Sequence, residues 1–303
     1  MAVYGKLLVA QDAPGGQDVI AMTMQLKPES IVIEPARGRQ VVNWRELREY
    51  RDLFYFLIDR DIKVLYKQTV LGFGWAILRP VLSMVIFTVI FGGLARVDSD
   101  GQPYALFSYA ALVPWLYFST ALTASALSLV NNTDMLTKVY FPRLIFPLTP
   151  IFSKLVDFVI SFVIVFVLMA WFRVPPTARL VYVPLLVGLM MLATAGVGLW
   201  LAAMSVQYRD VKHAMPFLTQ ILMYAAPVVW SAALIGERFG PTGRLLFGLY
   251  PMVGVIEGFR VALLNTGPLP WDMLGVGTLS AAIIFVTGLF YFRRMEVTFA
   301  DVA

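Results

Sequence analysis

Four stretches of this 303-residue chain carry no charged residue: Tyr104 to Val130, Leu180 to Tyr208, Met215 to Ile235 and Met273 to Phe292. A helix needs about 20 mostly apolar residues to cross the hydrocarbon core of a bilayer, and each stretch is long enough. Trp75 to Ala95 adds a fifth, interrupted only by Arg79, which lies close enough to its start to reach the interface. Leu144 to Phe172 adds a sixth, whose Lys154 and Asp157 stand three apart on one helical face and can pair. Composition agrees: 59% of the residues are hydrophobic and 14% charged, against about 25% charged in soluble domains. The reading is an all-α integral membrane domain over residues 75–292, with six transmembrane helices.

Charge fixes the parity. With six crossings and the N-terminal side inside, the outer side keeps only Arg96, Arg173, Arg179, Arg238, Arg244 and Arg260, so 18 of the 24 basic residues fall inside, including every lysine. A seventh crossing would carry Arg293 and Arg294 outside, against the inner bias of Lys and Arg. The doubtful stretch is Leu245 to Leu264, which Pro251, Gly254 and Gly258 interrupt and which holds Glu257 and Arg260. It reads as a re-entrant hairpin on the outer side. Such irregular backbone is tolerated at depth only against protein or water. Charges there need partners; Glu257 and Arg260, three apart, either pair with each other or belong to a gate.

Several chemistries are excluded. With no cysteine and one histidine, His213, a zinc or iron site has no ligand set. No G-x-x-x-x-G-K-[ST] phosphate loop exists, so the chain does not hydrolyse ATP by that route. A membrane-embedded glycosyl- or acyltransferase is the alternative from another class, with Glu257 as its sole outer candidate, but no G-x-S-x-G or H-E-x-x-H motif or carboxylate pair marks one. An ion-coupled transporter would show internal repeats and midplane charges, and neither is visible. The net charge of +5 belongs to inner loops rather than to a nucleic-acid face. Residues 1–42 form a polar arm with no signal-peptide core. Within it Ser30 to Pro35 has the composition of a short strand. Residues 293–303 make an inner C-terminal tail.

Two inner segments stand out. Over residues 43–66, Asn43 and Glu46 have capping-box spacing, and Leu47, Tyr50, Phe54 and Leu57 share one helical face. Arg45 with Glu49 and Arg48 with Asp52 stand at i,i+4. This predicts an amphipathic helix in the inner interface, either a plain anchor or a lever for a cytoplasmic partner. The loop over residues 131–147 offers Asn132 or Thr133 as the cap of a short helix that Pro142 ends. It carries Met135, Leu136, Val139, Tyr140 and Phe141 among Asp134, Lys138 and Arg143. So many apolar residues in a solvated loop predict burial by a partner or partial insertion into the interface. Of the 42 aromatic residues most near helix ends, such as Trp75 and Trp171, fit an interfacial belt.

The strings VIEPARG (32–38), LREYRDLFYFLIDRDIKVLYKQTVLGFGWAILRPVL (47–82), LVPWLYF (112–118), SLVNNTDMLTKVYFPR (128–143) and IEGFR (256–260) resemble, in order, those of one family. Its members are the membrane subunits of ABC exporters for cell-surface polysaccharides such as O-antigen, capsule and teichoic acid. The resemblance covers about residues 30 to 295. It implies a homodimeric permease in a bacterial inner membrane, both termini cytoplasmic. It would be driven by two separate nucleotide-binding subunits that hold the ATP and Mg, with no cofactor on this chain. It implies contact with those subunits through Glu46, Arg51 and Arg60 of the interface helix and through Asp134, Lys138, Tyr140, Phe141 and Arg143. It makes Tyr250, Pro251, Glu257 and Arg260 parts of a periplasmic gate. Phe87, Phe91, Trp115, Phe118 and Tyr224 are then candidates for a polymer channel, because aromatic faces offer apolar contact without fixed hydrogen bonds; packing against lipid is the alternative. The cargo would be a lipid-linked glycan or another amphipathic substrate.

Overall fold

In hydrocarbon every backbone polar group must find its partner within the chain, which leaves the helix as the local solution for an apolar run. Every regular element among the described residues is helical. The structure is a computed structural model that describes residues 48–67, 72–138, 141–296 and 299, all within the unit Val41–Ala303. The expectations for the arm, the Ser30–Pro35 strand, Glu46 and Tyr140 lie outside the described residues.

Helix α1 is Arg51–Tyr66, followed by α2, Gly74–Phe87, which runs on into a π-helical segment, Thr88–Leu94. Next come α3, Tyr104–Ala126, and the short α4, Thr133–Lys138. The contiguous α5, Ile145–Ser153, and α6, Leu155–Trp171, follow. The chain continues through α7, Val183–Gln207, α8, Asp210–Ala225, α9, Ala233–Gly248, α10, Pro251–Leu264, and α11, Trp271–Glu296. Among the described residues, five helical segments are long and apolar enough to cross a membrane: Gly74–Leu94, Tyr104–Ala126, Ile145–Trp171, Ala178–Gln207 and Trp271–Glu296. A sixth candidate is the α9–α10 pair, bent by 109°.

The charge-free stretch Met215 to Ile235 is not one helix. Pro227 forces the preceding residue out of the helical region, and Ala226 is extended at φ −89°, ψ 147°. Helix α8 therefore stops at 16 residues, about 24 Å at 1.5 Å per residue. The segment expected to bend back also begins earlier than Leu245. Helix α9 starts at Ala233, and Gly240 kinks it with φ 67°, ψ −170°, a conformation open only to glycine. The turn before Pro251 then reverses the chain.

Helix α3 is the axis of the bundle: 78% of the residues in its apolar window are buried, against 11% for Gly74–Leu94. Around it pack α2, α5, α6, α7 and α10, with α11 against α7 and α10. Membrane helices gain no hydrophobic drive from one another and pack through small residues instead. A Cβ on Gly196 of α7 would lie 2.8 Å from the Phe285 backbone nitrogen, and one on Gly288 of α11 would lie 2.8 Å from the Gly196 carbonyl oxygen. Those two backbones are in contact.

Candidate functional site

Side-chain contacts gather at both ends of the bundle. At the first end, α1 lies against α5. Leu57 is fully buried, and the Phe54 ring meets Phe152 edge-on at 5.4 Å. The opposite face mixes charge and rings: Arg51, Asp52, Asp59 and Lys63 are exposed beside Tyr55 and Phe56, which are 66% and 60% exposed. Arg60 leaves this helix and reaches the inner loop. Its guanidinium donates to Asp61 at 2.9 Å and to the Asn132 side-chain oxygen at 3.2 Å, and it approaches the Met135 sulfur at 3.8 Å. One side chain thus braces α1 to the turn that starts α4.

The loop is also held from behind. Phe141 is 4% exposed and sits 5.1 Å from Phe146, in a cluster with Leu129, Leu144, Phe292 and Phe299. The protomer itself buries this residue, so Phe141 needs no partner groove to cover it. Arg143 donates to the Glu296 carbonyl and lies over the Phe299 ring, 5.9 Å from its centre. The end of α11 is therefore beside the loop. Asp134 is exposed at the start of α4. At the base of α1, Tyr66 donates to Asp157, which pairs with Lys154 at 3.5 Å, the pairing that their spacing predicted. Burial, and then Asp157, hold the Tyr66 phenol well above its ordinary value, so it remains a donor.

At the far end, Arg260 of α10 is fully buried. It donates to the carbonyls of Trp230 at 2.9 Å and Val228 at 2.7 Å, contacts Glu257 at 3.4 Å, and stacks over the Phe107 ring at 3.7 Å. Tyr104 donates to the Val229 carbonyl between them at 2.7 Å. Three consecutive carbonyls of the broken stretch after α8 are thus satisfied by side chains. A non-helical segment in an apolar setting requires this. Glu257 and Arg260 do pair, but most of the arginine's work goes into this clamp. Pro251 opens α10. Tyr250 packs its ring against Phe118 at 6.5 Å, and its hydroxyl is buried without a hydrogen-bond partner among the described residues.

Residues 52–264, from α1 through α10, match the ABC-2 type transporter family. The chain belongs to the ABC-2 type transporter family. An O-antigen export system permease protein, RfbA, of Myxococcus xanthus is 28% identical over 254 residues, covering 83% of this chain and 96% of that one. A protein of the same name from Klebsiella pneumoniae is 25% identical over 252 residues, covering 83% and 95%. The polysialic acid transport protein KpsM of Escherichia coli is 22% identical over 216 residues, covering 69% and 80%.

Within this ABC-2 chain the five aromatic candidates divide. Phe87 and Phe91 stand at the junction of α2 with its π-helical segment, edge to face at 5.6 Å and part-buried. Tyr224 is 61% exposed near the end of α8. Trp115 and Phe118 are 3% and 1% exposed in the interior of the protomer, 5.6 Å apart. The long-range roles of Asn132, Met135, Tyr66 and Tyr104 escaped the sequence reading, which took Asn132 only for a cap and Met135 only for part of an apolar loop. Each acts through a partner between 72 and 125 residues away, and no periodicity reports such pairs.

Proposed function

We propose that this multi-pass ABC-2 membrane protein is the permease of a system that exports a cell-surface polysaccharide, of the O-antigen, capsule or teichoic-acid kind and carried on a lipid, across a bacterial inner membrane. The observation that carries the reading is the near-complete alignment with export permeases, 96% of the length of the Myxococcus protein. On this reading the chain binds no cofactor and hydrolyses nothing. Two ATPase subunits with ATP and Mg supply the work to a homodimer, since six helices are too few to enclose a sugar-sized channel and a twofold pair closes one economically.

The topology proposed is six crossings with both termini cytoplasmic. Its support comes from contacts at the two ends. Arg143 meets the end of α11, whereas Arg179, before α7, meets Gly267, before α11. The chain must therefore travel once from the end of α7 to the start of α11. Helix α8 makes that passage, leaving α9 and α10 as an outer re-entrant pair whose turn packs against Gly277, six residues or about 9 Å along α11. The ATPase-facing surface is assigned to the exposed side of α1 with Arg51, to the Arg60 brace and to the loop with Asp134, Lys138, Tyr140 and Arg143, with Glu46 leading in. Tyr250, Pro251, Glu257 and Arg260 form the gate, with Arg260 fixing its base. The polymer wall is assigned to Phe87, Phe91 and Tyr224, with Trp115 and Phe118 backing it from the interior.

Phosphate release from the purified chain alone, and from the chain with its ATPase subunit, tests the assignment. Turnover is expected only in the complex and only there stimulated by a lipid-linked glycan. Turnover by the lone chain would overturn it.

A further inference from the structure

Between the end of α1 and the first turns of α2 lies a cavity of about 310 Å³ that neither the brace nor the clamp uses. Leu65 and Tyr66 form one side, Trp75 and Arg79 of α2 a second, and Lys154 with Asp157 at the α5–α6 junction a third. Its charges do not balance. Two cations face one carboxylate, and Lys154, with 14% of its side chain exposed, is committed to that carboxylate. Arg79 has no ion pair or hydrogen bond among the described residues. Arg79 is exposed at the interfacial end of an apolar crossing, so its guanidinium is free to meet an anion at headgroup level.

The setting says what kind of anion. Arg79 stands five residues past the start of α2, about 7.5 Å along the helix. Trp75 beside it, 49% exposed, is the residue type that settles at headgroup level. Farther along the bundle both walls become apolar and open: Leu82, Val85 and Ile86 of α2 are 47% to 53% exposed, and Val159 and Val163 of α6 are 56% and 54% exposed. An anion in the cavity joined to a hydrocarbon tail along those walls would satisfy both surfaces. A phosphodiester has the single charge that the cavity lacks and the oxygen pair that a guanidinium fork meets.

We propose that this cavity binds the phosphate of a membrane lipid, with Arg79 as the principal cation and the end of α1 packed over the occupant. The site does not depend on the export reading, because a bilayer phospholipid, a phosphodiester, and a polyprenyl phosphate carrier, a monoester, both present paired anionic phosphate oxygens at headgroup level.

Native mass spectrometry of the full chain in detergent tests it, with phosphatidylglycerol, undecaprenyl phosphate and the phosphate-free diacylglycerol as probes. Both phosphate lipids should be retained over diacylglycerol, or undecaprenyl phosphate alone if the site is reserved for a carrier. Either result supports the site. R79Q should lower retention about tenfold, the scale of one hydrogen bond to a charged group, and R79K, which keeps the charge but not the fork, should restore part of it. A76L keeps both cations and fills part of the cavity, and it too should lower retention, which keeps the test decisive should R79Q fail to purify. Equal retention of diacylglycerol, or full retention by R79Q or A76L, would overturn the proposal.

Discussion

Two arginines carry the long-range order of this molecule, and their surroundings predict different failures. Arg260 is fully buried and bonds two carbonyls, while Glu257 beside it is 12% exposed. Arg260→Met removes both bonds and leaves a carboxylate without its partner, a loss of about 3–5 kcal/mol for a broken buried pair. A thermal melt of the purified chain should show it. Arg260→Lys should rescue little, because a single ammonium lacks the planar fork that reaches two carbonyls. Arg60 is different. Its side chain is 33% exposed, so truncation to Ala should cost stability only about 1 kcal/mol or less. The expected phenotype is mechanical: Arg60→Ala should assemble normally with the ATPase while export per ATP hydrolysed falls severalfold. Unchanged coupling would count against the brace.

At the scale of elements, the α7–α11 contact is the most sensitive packing. A side chain on Gly196 has backbone of α11 at 2.8 Å, whereas a Cβ on Gly188 of the same helix meets nothing within 4 Å. Gly196→Val should therefore destabilise by about 1–3 kcal/mol or more, as overpacking does, while Gly188→Val leaves the melting temperature unchanged. Much of this architecture is legible in the chain. Scarcity of charge marks five spans, three of them through charge-free stretches and two through stretches that hold only Arg79 or the Lys154–Asp157 pair, and that pair follows from helical spacing alone. The α8–α9 break is written less plainly: Pro227 sits in a stretch whose hydropathy is that of a span, and hydropathy is blind to backbone geometry. Phe141 misleads for another reason. An apolar residue in a polar loop states that it will be buried, but not by which surface, and here Phe146 and Phe299 of the same chain do it. Arg260 was legible as a charge needing a partner; that its partners would be carbonyls of a broken helix was not.

Across the whole molecule, the proposed topology makes a direct labelling prediction, helped by the absence of native cysteine. A cysteine in place of Ser99 or Thr177 should react with an impermeant thiol reagent in intact cells, and one in place of Ala2 or Ala303 should not. Reaction at 303 would mean an odd number of crossings and would move α11 to the opposite orientation. The tightness of Gly196 against Gly288 has a mechanical consequence at this scale. Two rods whose spines touch cannot slip past one another without first separating, so α7 and α11 behave as one stator, and α3 and α10 are keyed into its flank. Helix α2 lies outside that pillar, packed on α3 and α6 with about a tenth of its residues fully buried, and is joined at one end to α1. On the export reading, a push delivered to α1 reaches α2 and its packing on α3 and α6 before it reaches that stator.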